Sequence, residues 1–230
     1  MTRSLPTRLS KWALTLCFVL GFGLLSANGS EASATWLTAN SPKLDLGNGW
    51  STKSHTELRM PDLEYLSYVR ISQKFNYKIN DSWTLGTHPT LERSRSNTKS
   101  DWSNTYRFDL ELNPKKIKIG ESGPTLSMRN RWELRWKEGK GSEIFHRVRQ
   151  QSKLSWKLDN AFVKSYSLGN EVFYEVDKER ITLNRFYPII LGVDIFESVG
   201  TSFYLMYQSK RSGLSSDWNG TYVSGISLKF

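Results

Sequence analysis

Leu126-Ser127-Met128-Arg129-Asn130-Arg131-Trp132-Glu133-Leu134-Arg135-Trp136 decides the fold. Leu126, Met128, Trp132, Leu134 and Trp136 occupy one parity, while Ser127, Arg129, Arg131, Glu133 and Arg135 occupy the other. Successive side chains of a strand point to opposite faces, so this is a strand with one apolar and one charged face. The next segment repeats the pattern, with Ile144, Val148, Leu154, Trp156 and Leu158 against Arg147, Arg149, Gln151, Lys153 and Lys157. Upstream, Tyr106, Phe108, Leu110 and Leu112 oppose Arg107, Asp109 and Glu111. Val69, Ile71, Phe75, Tyr77 and Ile79 oppose Arg70, Ser72, Lys74, Asn76 and Lys78, and only Gln73 breaks the apolar side. Between Trp50 and Met60 the polar parity is Ser51, Lys53, His55, Glu57 and Arg59.

A soluble sandwich also alternates, with its apolar face turned inward. Length separates the two readings. Several of these segments run 11 to 16 residues, against roughly 5–6 for a soluble strand and about 9–11 for a tilted transmembrane one. The pattern therefore predicts an all-β protein, a transmembrane antiparallel up-and-down barrel. Ten strands are predicted, at 50–60, 65–79, 83–95, 104–112, 125–136, 143–158, 166–176, 181–193, 202–210 and 221–230. Segment 36–46 could pair through the Gly47-Asn48-Gly49 turn, and 116–120 could add a short strand, which would make twelve. The strand from Ile181 alternates less cleanly, because Ile189, Ile190 and Leu191 are consecutive. No other segment shows a helical stripe or a second long apolar run.

Both ends of the chain agree with this reading. Arg3, Arg8 and Lys11 precede an apolar run from Trp12 to Leu25, and Ala32-Ser33-Ala34 follows as a small-residue cleavage site. The run is short of the roughly 20 residues a spanning helix needs. Residues 1–34 are thus expected to be a Sec-type signal peptide, and 35–230 the barrel. Cys17, the one cysteine, leaves with that segment, so disulfides, thiol catalysis and thiolate metal sites are excluded from the mature chain. At the other end Tyr222, Ile226, Leu228 and Phe230 share one face of a final amphipathic strand. A final amphipathic strand ending in an aromatic residue closely resembles the C-terminal assembly signature of outer-membrane barrels, which their insertion machinery reads.

Composition fits as well. Hydrophobic residues make up 38% and charged ones 23% of the 230 residues, and mean hydropathy is negative. A membrane barrel allows this because only alternate positions meet lipid. Nine Trp within 13% aromatic residues suit interfacial girdles; Trp50, Tyr65, Trp83, Trp102, Trp136, Trp218 and Tyr222 stand near segment ends. Removing Arg3, Arg8, Lys11 and Glu31 changes the net charge from +10 to +8. The Lys and Arg residues alternate along strands rather than forming a solvated patch, which argues against a nucleic-acid partner. If the last strand ends in the periplasm, the Asn80-Asp81 turn is periplasmic. The 94–103 and 212–220 loops then lie outside, in the Gram-negative outer membrane.

The order of several short motifs resembles a bacterial family known as domain of unknown function 2490. They are Glu57-Leu58-Arg59, Arg129-Asn130-Arg131-Trp132-Glu133, Arg147-Val148-Arg149, Asn170-Glu171-Val172-Phe173, Asn184-Arg185 and Tyr207-Gln208. The resemblance spans 36–230 and implies an outer-membrane barrel with no established activity.

The inward parity collects Arg129, Arg131, Glu133, Arg135, Arg147, Arg149, Lys153 and Lys157 on two successive strands, with Glu171 and Glu175 as acids to meet them. Such a charge wall has two readings. It is a ladder of cross-strand pairs filling a narrow barrel, or the lining of a narrow, anion-leaning passage. An outer-membrane lipid-modifying enzyme or a surface-binding barrel is the alternative. No His aligns with Ser and an acid at a recognisable spacing, so no catalytic residue is assigned. His55 and His88 face inward as hydrogen-bonded residues, and His146 faces outward. No metal site and no cofactor are expected. The expected surroundings are outer-membrane lipid, lipopolysaccharide and the assembly machinery, around a monomer.

Overall fold

The computed structural model describes residues 32–196, 198–211 and 217–230. The expected signal segment up to residue 31, with Cys17, lies outside these residues, as does the centre of the 212–220 loop. Thirteen strands follow one another: β1 (Ala32–Asn40), β2 (Leu44–Gly47), β3 (Trp50–Pro61), β4 (Tyr68–Lys78), β5 (Trp83–Ser94), β6 (Ser103–Pro114), β7 (Ile117–Lys118), β8 (Thr125–Lys137), β9 (Ile144–Lys157), β10 (Val163–Glu175), β11 (Arg180–Phe196), β12 (Val199–Arg211) and β13 (Trp218–Lys229). All ten predicted strands are present.

Eleven strands form a closed wall, one more than the ten counted from the pattern. The addition is β1, which pairs antiparallel with β3 and parallel with β13. Alternating direction around an odd number of strands brings the first and last into the same direction, so the closing pair has to be parallel. β2 continues along β3 beyond β1, and the hairpin turns through Gly47, Asn48 and Gly49. All three have positive φ (80°, 51° and 81°), a conformation that glycine and asparagine tolerate best. β7 pairs only with β8 and stays outside the closed path. Ala32–Ala34, the expected cleavage site, are the first paired residues of β1, so cleavage after Ala34 would shorten the closing strand.

The Phe230 end of the barrel is fixed by the Phe230 N–H, which donates to the Asn40 carbonyl. The pairings place the Asn80-Asp81 turn at that end and the 95–102 loop at the opposite one, as the strand directions required. The difference in loop length between the ends is mild, since the 115–124 connection, at the Phe230 end, is longer than 95–102.

The faces are inverted relative to a soluble protein. Leu91, Phe108, Trp132, Val148, Ile181, Phe186 and Tyr222 are exposed on the exterior, while Glu57, Arg107, Asp109, Arg131, Glu133, Arg149 and Glu171 are buried inside. The interior also has an apolar wall. Trp36, Tyr204, Met206 and Val223 pack together, with Ala34, Tyr187 and Ile190 against them. Bulges in β11, around Tyr187 and Pro188, shift its register against both neighbours. They bring both Tyr187 and Ile190 to this cluster and account for the broken alternation of that strand. Gly225 makes room for the Tyr204 ring, since a Cβ there would lie 2.1 Å from its Cζ.

Candidate functional site

The inward charges form a belt across the middle of the lumen. Glu133 of β8 is wholly buried (0% exposed) between two guanidinium groups of β9, with Arg147 and Arg149 each at 2.5 Å. Glu171 of β10, 1% exposed, takes Arg149 and Arg129 at 2.7 Å each, and Arg185 of β11 at 3.5 Å. Glu57 holds Arg59 at 2.5 Å and Arg70 at 2.6 Å. Asp109 binds Arg107 at 2.6 Å and Arg131 at 3.0 Å; Glu92 pairs with Arg107, and Glu111 with Arg131.

Register explains why the belt holds. Asp109 and Glu133 are direct cross-strand partners, and so are Arg131 and Arg149. Like charges in such positions repel. Asp109 and Glu133, however, reach Arg131 and Arg149 of the next inward row diagonally, while Glu133 faces Arg147 and Glu111 faces Arg131 directly across, so each like-charged pair is offset by opposite charges beside it. Charged hydrogen bonds of this kind are stronger than neutral ones, and planar guanidinium suits bidentate contacts. At the edges of the belt, guanidinium groups lie on aromatic rings. Arg59 sits 4.0 Å from the Trp36 ring centre and 3.9 Å from that of Tyr68, Arg185 sits 4.8 Å from Trp36, and Arg149 sits 4.3 Å from Phe173. Charged and apolar walls thereby meet across the lumen at mid-height.

On the side away from Phe230 the belt forms the floor of a cavity of about 490 Å³. Its lining contains eleven Arg or Lys side chains but only two acids, Glu92 and Glu175. Glu175 meets Lys178 at 2.7 Å and Arg135 at 3.6 Å. Lys210 and Arg211 at the rim have no carboxylate within 4 Å among the described residues; Arg211 lies over the Trp218 ring at 4.8 Å. The buried Nε atoms of Arg70, Arg135, Arg149 and Arg211 have no hydrogen-bond partner among the described residues. All four belong to this lining.

At the Phe230 end the lumen carries lysines. Lys53 and Lys74 are direct cross-strand partners, and Lys229 lies within electrostatic reach of Lys53 and Lys153. The lysine ion pairs of the described residues are those of Lys78, Lys164 and Lys178, so these four have none.

The structure thus brings most of the expected wall into one network: Arg129, Arg131, Glu133, Arg147, Arg149 and Glu171 in the belt, Arg135 and Glu175 in the cup. Lys153 belongs to the lysine end, and Lys157 is exposed at the same end of β9. Asp177, of inward parity in the sequence, sits instead in the 3₁₀ turn Val176–Lys178 at the rim and accepts the His146 N–H at 2.7 Å. His55 is hydrogen-bonded as expected, with Asn40 at 3.0 Å and Arg70 at 2.5 Å. His88 is not. It is 1% exposed, neither ring nitrogen has a hydrogen bond among the described residues, and Glu111 stands 3.6 Å away. His146 faces outward against Trp132. Among the described residues no group of His, Asp, Glu and Cys is placed to hold a metal ion.

Sequence reasoning missed Trp36, Phe173 and Met206 as lumen residues. Parity alone pointed inward for Phe173, which shares it with Glu171 and Glu175, but an apolar side chain there reads as noise.

A family model described as Protein of unknown function (DUF2490) matches residues 34–219. Comparisons with curated protein sequences and with solved structures give no match.

Proposed function

The chain belongs to this family of unknown function, and on that footing we propose that it is an outer-membrane β-barrel, closed to ion flow, whose arginine-lined cup takes anions from outside the cell. The observation that carries this reading is the inversion of faces: a largely apolar exterior around a buried ion-pair belt. Exposed apolar patches on soluble monomers rarely exceed a few hundred Å². A wall with Leu91, Phe108, Trp132, Val148 and Ile181 all outward is instead suited to lipid, where a closed barrel satisfies every backbone group. No helix of the described residues is long and apolar enough to cross a membrane, so strands would do so.

The orientation follows from β13. Tyr222, Ile226, Leu228 and Phe230 form its outward face, the form in which the assembly machinery would read it, and a periplasmic Phe230 turns the cup outward. Lipid and lipopolysaccharide then surround the barrel. A narrow anion passage is the second reading, favoured by the unpaired lysines at the opposite mouth, but it requires the belt to open.

One experiment separates them. Purified protein that migrates differently before and after heating should give no conductance in a planar bilayer, while inorganic tripolyphosphate should raise its melting temperature. Lys210→Glu with Arg211→Glu should remove that rise. Anion-selective conductance in folded protein would favour the passage, and no response to tripolyphosphate would refute the cup.

A further inference from the structure

The apolar exterior has its widest interruption on β8–β11; the smaller Thr52, Ser54 and Gln73 group of β3 and β4 is bonded within itself. Asn130 (β8), Gln150 and Ser152 (β9), Asn170 (β10) and Asn184 (β11) all face outward on two adjacent cross-strand rows. One row runs Leu112, Asn130, Gln150, Val172, Asn184, and the next runs Met128, Ser152, Asn170, Phe186. The row above is apolar (Leu110, Trp132, Val148, Tyr174, Ile181), and so is the row below (Leu126, Leu154, Leu168). These amides therefore lie inside the apolar band, at the middle of β9 and β10, not at its edges.

Their own hydrogen bonds leave them half used. Asn130 Nδ2 donates to the Leu112 carbonyl at 3.0 Å, Gln150 Nε2 to Ser152 Oγ at 2.8 Å, and Asn170 Nδ2 to Asn184 Oδ1 at 2.8 Å and the Arg185 carbonyl at 3.3 Å. No described donor reaches the side-chain oxygen of Asn130, Gln150 or Asn170. A primary amide has two donors and an acceptor with two lone pairs, and hydrocarbon satisfies none of them. An acyl chain against this patch would leave those oxygens unpaired.

We infer that the exterior of β8–β10 is the contact surface with a second copy of this chain, joined by amide-to-amide hydrogen bonds within the membrane. The inference rests on the membrane reading above and departs from the monomer that the sequence suggests. An amide is both donor and acceptor, so a patch of amides is complementary to its own two-fold copy, as an isologous dimer requires. With the axis near Gln150, Asn130 of one copy faces Asn170 of the other, because these residues flank Gln150 on the two neighbouring strands. A hollow of about 280 Å³ lined by Leu85, Leu110, Leu112, Trp132 and Val148 adjoins Asn130 and accommodates an apolar side chain of the second copy.

Site-directed cross-linking in outer membranes of an expressing Gram-negative host tests this. The chain has Cys17 as its one cysteine, in the segment expected to be removed, so wild type is the blank. Gln150→Cys treated with a short bis-maleimide should give a covalent dimer, whereas Ser224→Cys, outward on β13, should stay monomeric. In mild detergent, light scattering should fall from dimer to monomer mass for the Asn130→Leu, Gln150→Leu, Asn170→Leu triple variant, with heat-dependent migration retained. A monomeric Gln150→Cys in membranes that hold a heat-modifiable barrel would overturn the dimer and leave the membrane reading standing. Cross-linking to a different protein would replace the second copy by that partner. Absence of the wild-type protein from the membrane fraction would remove both readings together.

Discussion

The two halves of the lumen close the same barrel by opposite means. From β3 to β10 the inner wall is built of charges, each needing a partner of the other sign at hydrogen-bond distance. From β11 through β13 to β1 it is built mainly of Tyr187, Tyr204, Met206, Val223 and Trp36, which need only shape, with Arg185 reaching over to Glu171 and Lys210 and Arg211 at the rim. The charged wall is unforgiving because Glu133 and Glu171 are almost wholly buried, so removing one leaves its arginines without their partner. The apolar wall loses only packing when a side chain is cut back. The comparison teaches that the belt specifies one arrangement of strands, while the apolar wall seals it.

The largest effect should come from Glu133→Ala. It removes the carboxylate held by Arg147 and Arg149 at 2.5 Å, with Arg107 and Arg131 at 3.7 Å. Breaking a buried pair by deleting one partner costs about 3–5 kcal/mol. Equilibrium unfolding of the purified barrel in urea should show it. An unchanged midpoint would mean that water reaches the belt and that the charged wall is not closed.

Met206→Ala should cost somewhat less, about 3 kcal/mol, because Met206 is fully buried and the loss is transfer plus cavity. Met206 and Glu133 share no partner across the two walls. The double variant should therefore be additive within about 0.5 kcal/mol. A larger coupling would show that the two walls respond as one unit, which would break the comparison.

The charged wall was legible in the sequence and the apolar wall was not, for a physical reason. Charges at alternate positions of Arg129–Arg135 can be read because the exterior between them is apolar, so parity alone assigns the face. On β11 a bulge resets parity, and Tyr187 and Ile190 arrive on the same side through a backbone irregularity that no two-residue period reveals. β1 was visible as a segment that could pair, but its parallel partner is set by closure, a property of the whole ring. The amides were visible only as parts of the motifs Arg129-Asn130-Arg131 and Asn170-Glu171. Their outward ladder depends on register across four strands. The cup likewise exists only once β4, β8, β9 and β12 are brought around the same axis.

The smallest expected effect lies where the walls meet. Arg59 pairs with Glu57 at 2.5 Å and lies between the Trp36 and Tyr68 rings at 4.0 and 3.9 Å. Arg59→Lys keeps the charge but loses the planar face and the second N–H to Glu57, so the substitution is not conservative here. The expected cost is about 1–2 kcal/mol, the range of a desolvated cation–π contact together with one charged hydrogen bond. Trp36→Leu keeps that position apolar and removes the ring. If stacking on Trp36 links the walls, Arg59→Lys should cost less in the Trp36→Leu background than in wild type. The difference is the coupling energy of a double-mutant cycle read from urea unfolding. A cost that is the same in both backgrounds would assign Arg59 to the charged wall alone, held by Glu57 and Tyr68. The seam would then be a coincidence of packing, and the closure at mid-height would rest on the ion pairs of Glu133 and Glu171.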